Sequence, residues 1–271
     1  MNESTAFLEI RDLWAGYGGR DVIRGVSFTL ERGETLCLVG ESGCGKSTLL
    51  RAILGTDPDL TVRSGSILLE GKDLLALPPR RRLGITTRRF GMVFQNPGAA
   101  FNPIRSYGVQ FAEALKSSGS YDRTAFFSRA DSALRRLGLE DAKRILASCP
   151  YELSGGMNQR VALALILLMK QELLLADEPT SALDATIQRQ VAEELKGLRE
   201  KGGMTQIVVT HHLALAKFLG TRIGVLFGGE LVELGPAESL LAAPRHGYTR
   251  ALLAAVPRLN GRMPGAPEVR E

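Results

Sequence analysis

The chain has 271 residues, with 34 Lys and Arg against 29 Asp and Glu, a formal charge of +5. Hydrophobic residues make up 44% and charged residues 23%, which excludes a disordered chain and leaves room for one large core or two small ones. Aromatic residues reach only 6%, which argues against a nucleic-acid reader built on base stacking.

The first residues, MNESTAFLEIRD, carry Glu3 and Glu9 and lack the basic-then-apolar pattern of an export signal. The longest apolar run, 161–169, is nine residues, whereas a spanning helix needs about 20. Cys37, Cys44 and Cys149 are scattered and form neither a disulfide framework nor a zinc set, the usage of a reduced, cytosolic chain. Residues 1–35 read as strands: Val26, Phe28 and Leu30 alternate with polar or small residues, and glycine turns punctuate them.

Three apolar stretches then read as buried strands: 35–39, 173–176 and 206–209. Between the last two, Ile187, Val191, Leu195 and Leu198 are spaced as one face of a helix. Buried strands alternating with amphipathic helices predict an α/β fold with a parallel sheet covered on both faces. Residues 97–152 break the pattern, polar and helix-like without a strand, and read as a helical insertion. A short helical piece is expected over 248–255, beyond which Pro, Gly and Arg accumulate and order should fade. The cluster Arg80, Arg81, Arg82, Arg88 and Arg89 reads as a solvated face.

Chemistry enters directly after the first buried strand. Gly40-Glu41-Ser42-Gly43-Cys44-Gly45-Lys46-Ser47 fits G-x-x-x-x-G-K-[ST] between a predicted strand and a predicted helix. Backbone N–H groups of such a loop curl around phosphate oxygens, and the helix start, through Thr48, adds partial positive charge. Lys46 is then placed for the β- and γ-phosphates, and the Ser47 hydroxyl for Mg²⁺. The strand 173–176 delivers Asp177 and Glu178 to its C-terminal end, where open α/β sheets bind ligands. Asp177 suits the Mg²⁺ shell, and Glu178 suits orientation or deprotonation of an attacking water. A second phosphate cradle follows from Leu153-Ser154-Gly155-Gly156-Met157-Asn158-Gln159-Arg160. Ser154 can cap a helix running to about residue 170. A simple kinase-like P-loop protein has no use for two such helix starts.

With these residues the sequence resembles the nucleotide-binding subunits of ATP-binding-cassette (ABC) transporters over nearly its whole length. LSGGMNQR is similar to that family's signature motif, upstream of ADEPTSALD as the family requires. The resemblance implies a P-loop NTPase (RecA-like) core, an N-terminal antiparallel β-subdomain and a helical insertion. It sets an ATPase domain over 1–245, with the helical subdomain at about 97–160, and a short tail over 246–271. It implies that Ser154, Gly155 and Gly156 face ATP on a partner subunit in a head-to-tail dimer. Gln95 takes the position of the Mg²⁺-linked glutamine, and Tyr17 that of the aromatic stacked on adenine. Residues 181–184, Ser-Ala-Leu-Asp, match the loop crossing the dimer interface, and His211 the switch histidine at the γ-phosphate. His212 stands where the family usually has an acid, and Asn158 occupies a variable signature position.

FQNPGAAFNP, YELSGGMNQR and PRHGYTRALLAAVP resemble the importers of peptides, nickel and metal–chelator complexes. By that resemblance the chain is a peripheral ATPase on the cytoplasmic face of a bacterial inner membrane. It would bind two membrane-spanning permease subunits and a second, related ATPase chain, serve a substrate-binding protein indirectly, and bind no nucleic acid. Many oligopeptide-type members continue into a cysteine-rich tail, and stopping at Glu271 leans the expectation towards nickel or metallophore cargo. The rivals are a soluble accessory ATPase, as in phosphonate breakdown, and a nucleotide sensor without turnover. Joint retention of Glu178, His211 and Gln95 opposes the sensor.

Overall fold

The computed structural model describes residues 6–94, 97–181 and 185–255. Two long strands, β1 (Leu8–Tyr17) and β2 (Arg20–Leu30), open the chain and pair antiparallel. The buried strand β3 (Thr35–Val39) leads through the glycine loop into helix α1 (Lys46–Leu54). Strands β4 (Thr61–Leu69) and β5 (Lys72–Asp73) complete a four-stranded sheet of order β2-β1-β4-β5. Helix α2 (Pro79–Arg89) then feeds directly into strand β6 (Phe90–Val93).

A block of helices follows: α3 (Tyr107–Ser117), α4 (Phe126–Arg135), α5 (Ala142–Ala147) and α6 (Gly155–Leu168). The chain then alternates through β7 (Leu173–Asp177), α7 (Ala185–Glu200), β8 (Thr205–Val209), α8 (Leu213–Leu219) and β9 (Arg222–Phe227). It turns back through β10 (Glu230–Pro236) to α9 (Ala237–Ala242) and α10 (Gly247–Ala254). The second sheet has the order β10-β9-β3-β8-β7-β6, parallel except for the β9–β10 edge pair.

The parallel sheet is buried because both its faces are needed. On β3, Leu36 and Leu38 join the core under the antiparallel sheet and α1, while Cys37 and Val39 join the core under α6, α7 and α8. β7 divides likewise, Leu173 and Leu175 on one side and Leu174 and Ala176 on the other. Side chains alternating every second residue make an unbroken apolar strand serve two cores. The sequence pattern marks β3, β7 and β8 but not β6, β9 or β10, whose apolar residues are interrupted by Gly91, Gly224 and three acidic or glycine positions of β10.

Tyr107, wholly buried, anchors the helical block. Its ring meets Phe101 edge-on at 4.9 Å, and its hydroxyl donates to Asn158 Oδ1 at 2.5 Å. The Asn158 amide in turn donates to the Pro150 carbonyl at 3.0 Å. The variable signature position is therefore a buried polar joint of the helical block.

The arginine cluster is only partly a solvated face. Arg80, Arg81 and Arg88 are exposed, but Arg82 donates to the Ala52 carbonyl, fastening α2 to α1. Arg89 is bidentate on Glu172, at 2.5 and 2.7 Å, and reaches Glu70 at 2.8 Å. Arg32 pairs with the same two carboxylates. The Arg89 hydrogen bond, ahead of that of Arg32, draws Glu70 down to about 2. Acids distant in sequence left this network invisible to a reading of local composition. Among the described residues no helix is long and apolar enough to cross a membrane.

Candidate functional site

β3, β8 and β7 are adjacent and parallel, so their C-terminal ends lie along one sheet edge. Everything the sequence singles out after those strands meets there. The loop 40–47 leaves β3 and enters α1, whose N-cap, Gly45, supplies no side-chain cap. The first N–H groups of a helix have no intrahelical acceptor, so this uncapped start is suited to an anion. Gly40 is required by close approach: a Cβ there would lie 2.2 Å from the Leu226 carbonyl oxygen of β9. The loop is thereby packed against the sheet. Lys46 is nearly fully buried, and its Nζ donates to the carbonyls of Gly40 at 2.8 Å and Glu41 at 2.7 Å. Ser42, Gly43 and the carboxylate-bearing Glu41 lie on the exposed side of the loop; Cys44 and Gly45 are buried.

The Ser47 hydroxyl donates to Asp177 Oδ1 at 2.9 Å, joining the helix start to the end of β7. Burial is the main force raising the Asp177 carboxyl above its ordinary range; the Ser47 hydrogen bond opposes that and the neighbouring Glu178 charge adds to it. A half-desolvated carboxylate beside a hydroxyl is an oxygen-only donor pair, the chemistry that suits Mg²⁺. Cations close to this pair, Lys46 and Arg51, lower the cost of its charge only modestly.

Glu178 follows at φ 47°, in the left-handed region that a long side chain rarely adopts. Its N–H donates to Val209 O at 2.9 Å, so the strained residue is held by the neighbouring strand. Its Oε1 lies 3.0 Å from His211 Nδ1. An ionised carboxylate only accepts, so Nδ1 carries the proton and Nε2 is left for another contact. His212, in place of an acid, packs against His211 with ring centres 4.0 Å apart and planes tilted by 42°. Burial, then the His211 charge, lower its pKa and favour the neutral ring. Its backbone N–H donates to the Thr210 hydroxyl Oγ1 at 3.0 Å, a contact that does not depend on the His212 side chain.

Tyr17 ends β1, and its hydroxyl donates to Asp57 Oδ2 at 2.9 Å, with Arg51 3.6 Å from the same oxygen. Asp57 carries no sequence signal, since it meets Tyr17 across 40 residues of chain, and Arg51 reaches the pair only through Asp57. Ser154 caps α6, its Oγ accepting the Met157 N–H at 3.3 Å, with Ser154 and Gly155 exposed and Gly156 buried. A Cβ on Gly156 would lie 2.6 Å from Ile187 Cγ2, so only glycine lets α6 start this close to α7. Among the described residues no hydrogen bond joins this segment to the loop 40–47, and it presents a separate surface. Gln95 and residues 182–184 lie outside the described residues.

One further contact joins the loop to the C-terminal helix. The Tyr248 hydroxyl of α10 accepts the Glu41 N–H at 2.9 Å. The HGYTRALL stretch marks a branch of the family, but nothing in it signals a phosphate loop.

The family model described as ABC transporter matches residues 23–181. The chain belongs to the ABC transporter ATP-binding family. It is an ATPase, and its fold is that of an ATP-binding cassette. A second model, the C-terminal region of oligopeptide/dipeptide transporters, matches residues 232–270. The oligopeptide transport ATP-binding protein OppD of Bacillus subtilis is 39% identical over 265 residues, covering 96% of this chain and 74% of that protein. The dipeptide transport ATP-binding protein DppD of the same organism is 39% identical over 247 residues, covering 90% and 74%. Among solved structures, a dimeric ATP-binding cassette bound to ADP and phosphate aligns with a TM-score of 0.74 at 28% identity, covering 85% of this chain and 98% of that one.

Proposed function

We propose that this cassette powers a peptide importer, as a peripheral subunit on the cytoplasmic face of a bacterial membrane. Two permease subunits would supply the pore, a second ATPase chain would complete a head-to-tail dimer, and a binding protein would deliver cargo. Peptide is favoured over nickel or a metal chelate by the match to the peptide-transporter C-terminal region and by the peptide-transport relatives.

The observation that carries the catalytic reading is the convergence of Lys46, Ser47, Asp177, Glu178 and His211 on one sheet edge. Lys46 exchanges its two carbonyl contacts for the β- and γ-phosphates of ATP, and the loop from Gly40 to Thr48 wraps them. Ser47 and Asp177, with Gln95, would hold Mg²⁺, which neutralises charge developing on the phosphates. Glu178, oriented by His211, accepts a proton from the attacking water. His211, held by Glu178 through Nδ1, would turn its Nε2 edge towards the γ-phosphate. Tyr17 stacks on the adenine, and Ser154, Gly155 and Gly156 contact the triphosphate held by the partner. Closure and reopening of the dimer move the helical subdomain, and residues following Gln95 pass that motion to the permeases.

Glu178→Gln keeps the acceptor for His211 but removes the base. It is expected to leave ATP binding intact and to lower hydrolysis by about 10²–10⁴-fold in the assembled transporter. Unchanged turnover would overturn the assignment. Lys46→Ala should weaken nucleotide binding itself.

A further inference from the structure

The C-terminal helix reaches the ATP site through one peptide plane. The segment before α10 is fixed to β10: Glu233 accepts the N–H groups of Arg245 at 2.8 Å and His246 at 3.0 Å. The His246 ring caps α10, its Nδ1 accepting the Tyr248 N–H at 3.2 Å. Thr249 is buried, and Tyr248, Leu252 and Leu253 pack on the core beneath the helix. Tyr248 is therefore held at both its backbone and its ring, which lies on Phe227 at 4.3 Å with the planes 32° apart. Phe227 ends β9, beside the Leu226 carbonyl against which Gly40 is packed.

From that base the Tyr248 hydroxyl accepts the Glu41 N–H at 2.9 Å, while Lys46 Nζ donates to the Gly40 carbonyl at 2.8 Å. The Gly40 C=O and the Glu41 N–H are the two ends of a single planar amide, which cannot reorient one without the other. Tyr248 thus sets the plane that presents a carbonyl to the buried lysine. Burial raises the Tyr248 phenol above its ordinary range, so it stays a neutral hydroxyl able to accept from this amide.

We infer that Tyr248 is a positioning residue for the phosphate loop, preorganising it for the nucleotide and making the C-terminal region part of the ATP-binding apparatus. This rests on the reading of the loop 40–47 as the ATP site. The C-terminal region is matched separately from the cassette, so the contact assigns a role in nucleotide binding to a segment otherwise external to it.

The test is equilibrium binding of trinitrophenyl-ATP to the full chain, native, Tyr248→Phe and Lys46→Ala, with thermal unfolding of each without nucleotide. Phenylalanine keeps the ring on Phe227 and removes only the hydroxyl. The dissociation constant of Tyr248→Phe is expected to rise about three- to tenfold, the worth of one hydrogen bond, with the unfolding temperature unchanged. In the assembled transporter the same variant should raise KM for ATP with kcat within about twofold, since the hydroxyl does not face the reacting atoms. Native affinity in Tyr248→Phe, with binding lost in Lys46→Ala, overturns the inference and leaves the ATP site standing. Weakened affinity accompanied by an equally lowered unfolding temperature also overturns it, as a merely structural role. Native affinity in Lys46→Ala overturns the ATP-site reading together with it.

Discussion

Replacing Glu194 by Gln tests whether the joint between signature helix and core carries a buried, titrating carboxylate. Glu194 on α7 faces Arg160 of α6, Oε1 to Nε at 3.9 Å, with side-chain exposures of 11% and 12%. Its other oxygen is buried with no hydrogen-bond partner among the described residues. Burial pushes the carboxyl from 4.5 up to about 7, and the Arg160 charge offsets only part of this. A raised acid costs stability only when ionised. Below about pH 4.5 it is protonated in folded and unfolded chains alike; the cost grows as pH rises towards 7 and is constant above. At about 1.4 kcal/mol per unit the full cost is about 3 kcal/mol, of which about 2 kcal/mol accrues between pH 5.5 and 8. Glutamine copies the protonated group and does not titrate. In thermal unfolding followed by circular dichroism, the melting temperature of the variant relative to the native chain should rise by about 4–8 °C between those pH values. The amide left at the unpaired position adds a pH-independent offset, so the change with pH is the readout. A difference that is the same at both pH values would refute the reasoning.

Two further substitutions probe the helical block. Tyr107→Phe removes the donor to Asn158 Oδ1 without changing the ring, stranding a buried acceptor; it should cost about 1–3 kcal/mol in urea unfolding, and no loss would mean the joint is not closed through that hydroxyl. Gly156→Ala drives a methyl into Ile187, at a cost of about 1–3 kcal/mol. If Gly156 serves the partner's ATP, the alanine should lower hydrolysis by the assembled transporter while nucleotide affinity of the isolated chain stays at the native level.

Much of the site is legible because its parts are continuous in sequence. A strand, a glycine turn and a helix start within Thr35–Leu54 are enough to place Lys46 and Ser47, since backbone geometry over a dozen residues dictates where they point. Asp177 and Glu178 are legible for the same reason, as the end of an apolar strand. Short or interrupted strands were not: β6 has four residues, with Gly91 among them, and becomes a strand because β7 offers a partner, Phe90 to Leu173 through Val93 to Ala176.

The glycine loop, the signature helix and the two-faced apolar strands are each encoded by neighbours in the chain whose conformations are locally coupled. The tertiary structure alone brings His211 Nδ1 to Glu178, makes Asn158 a buried joint and ties Arg82 and Arg89 to distant partners. It also decided that Tyr248, 207 residues from Glu41, touches the loop that opens the site. Hydrogen bonds and burial act over a few ångströms of space whatever the separation along the chain, and strand order alone sets which distant residues come within that range.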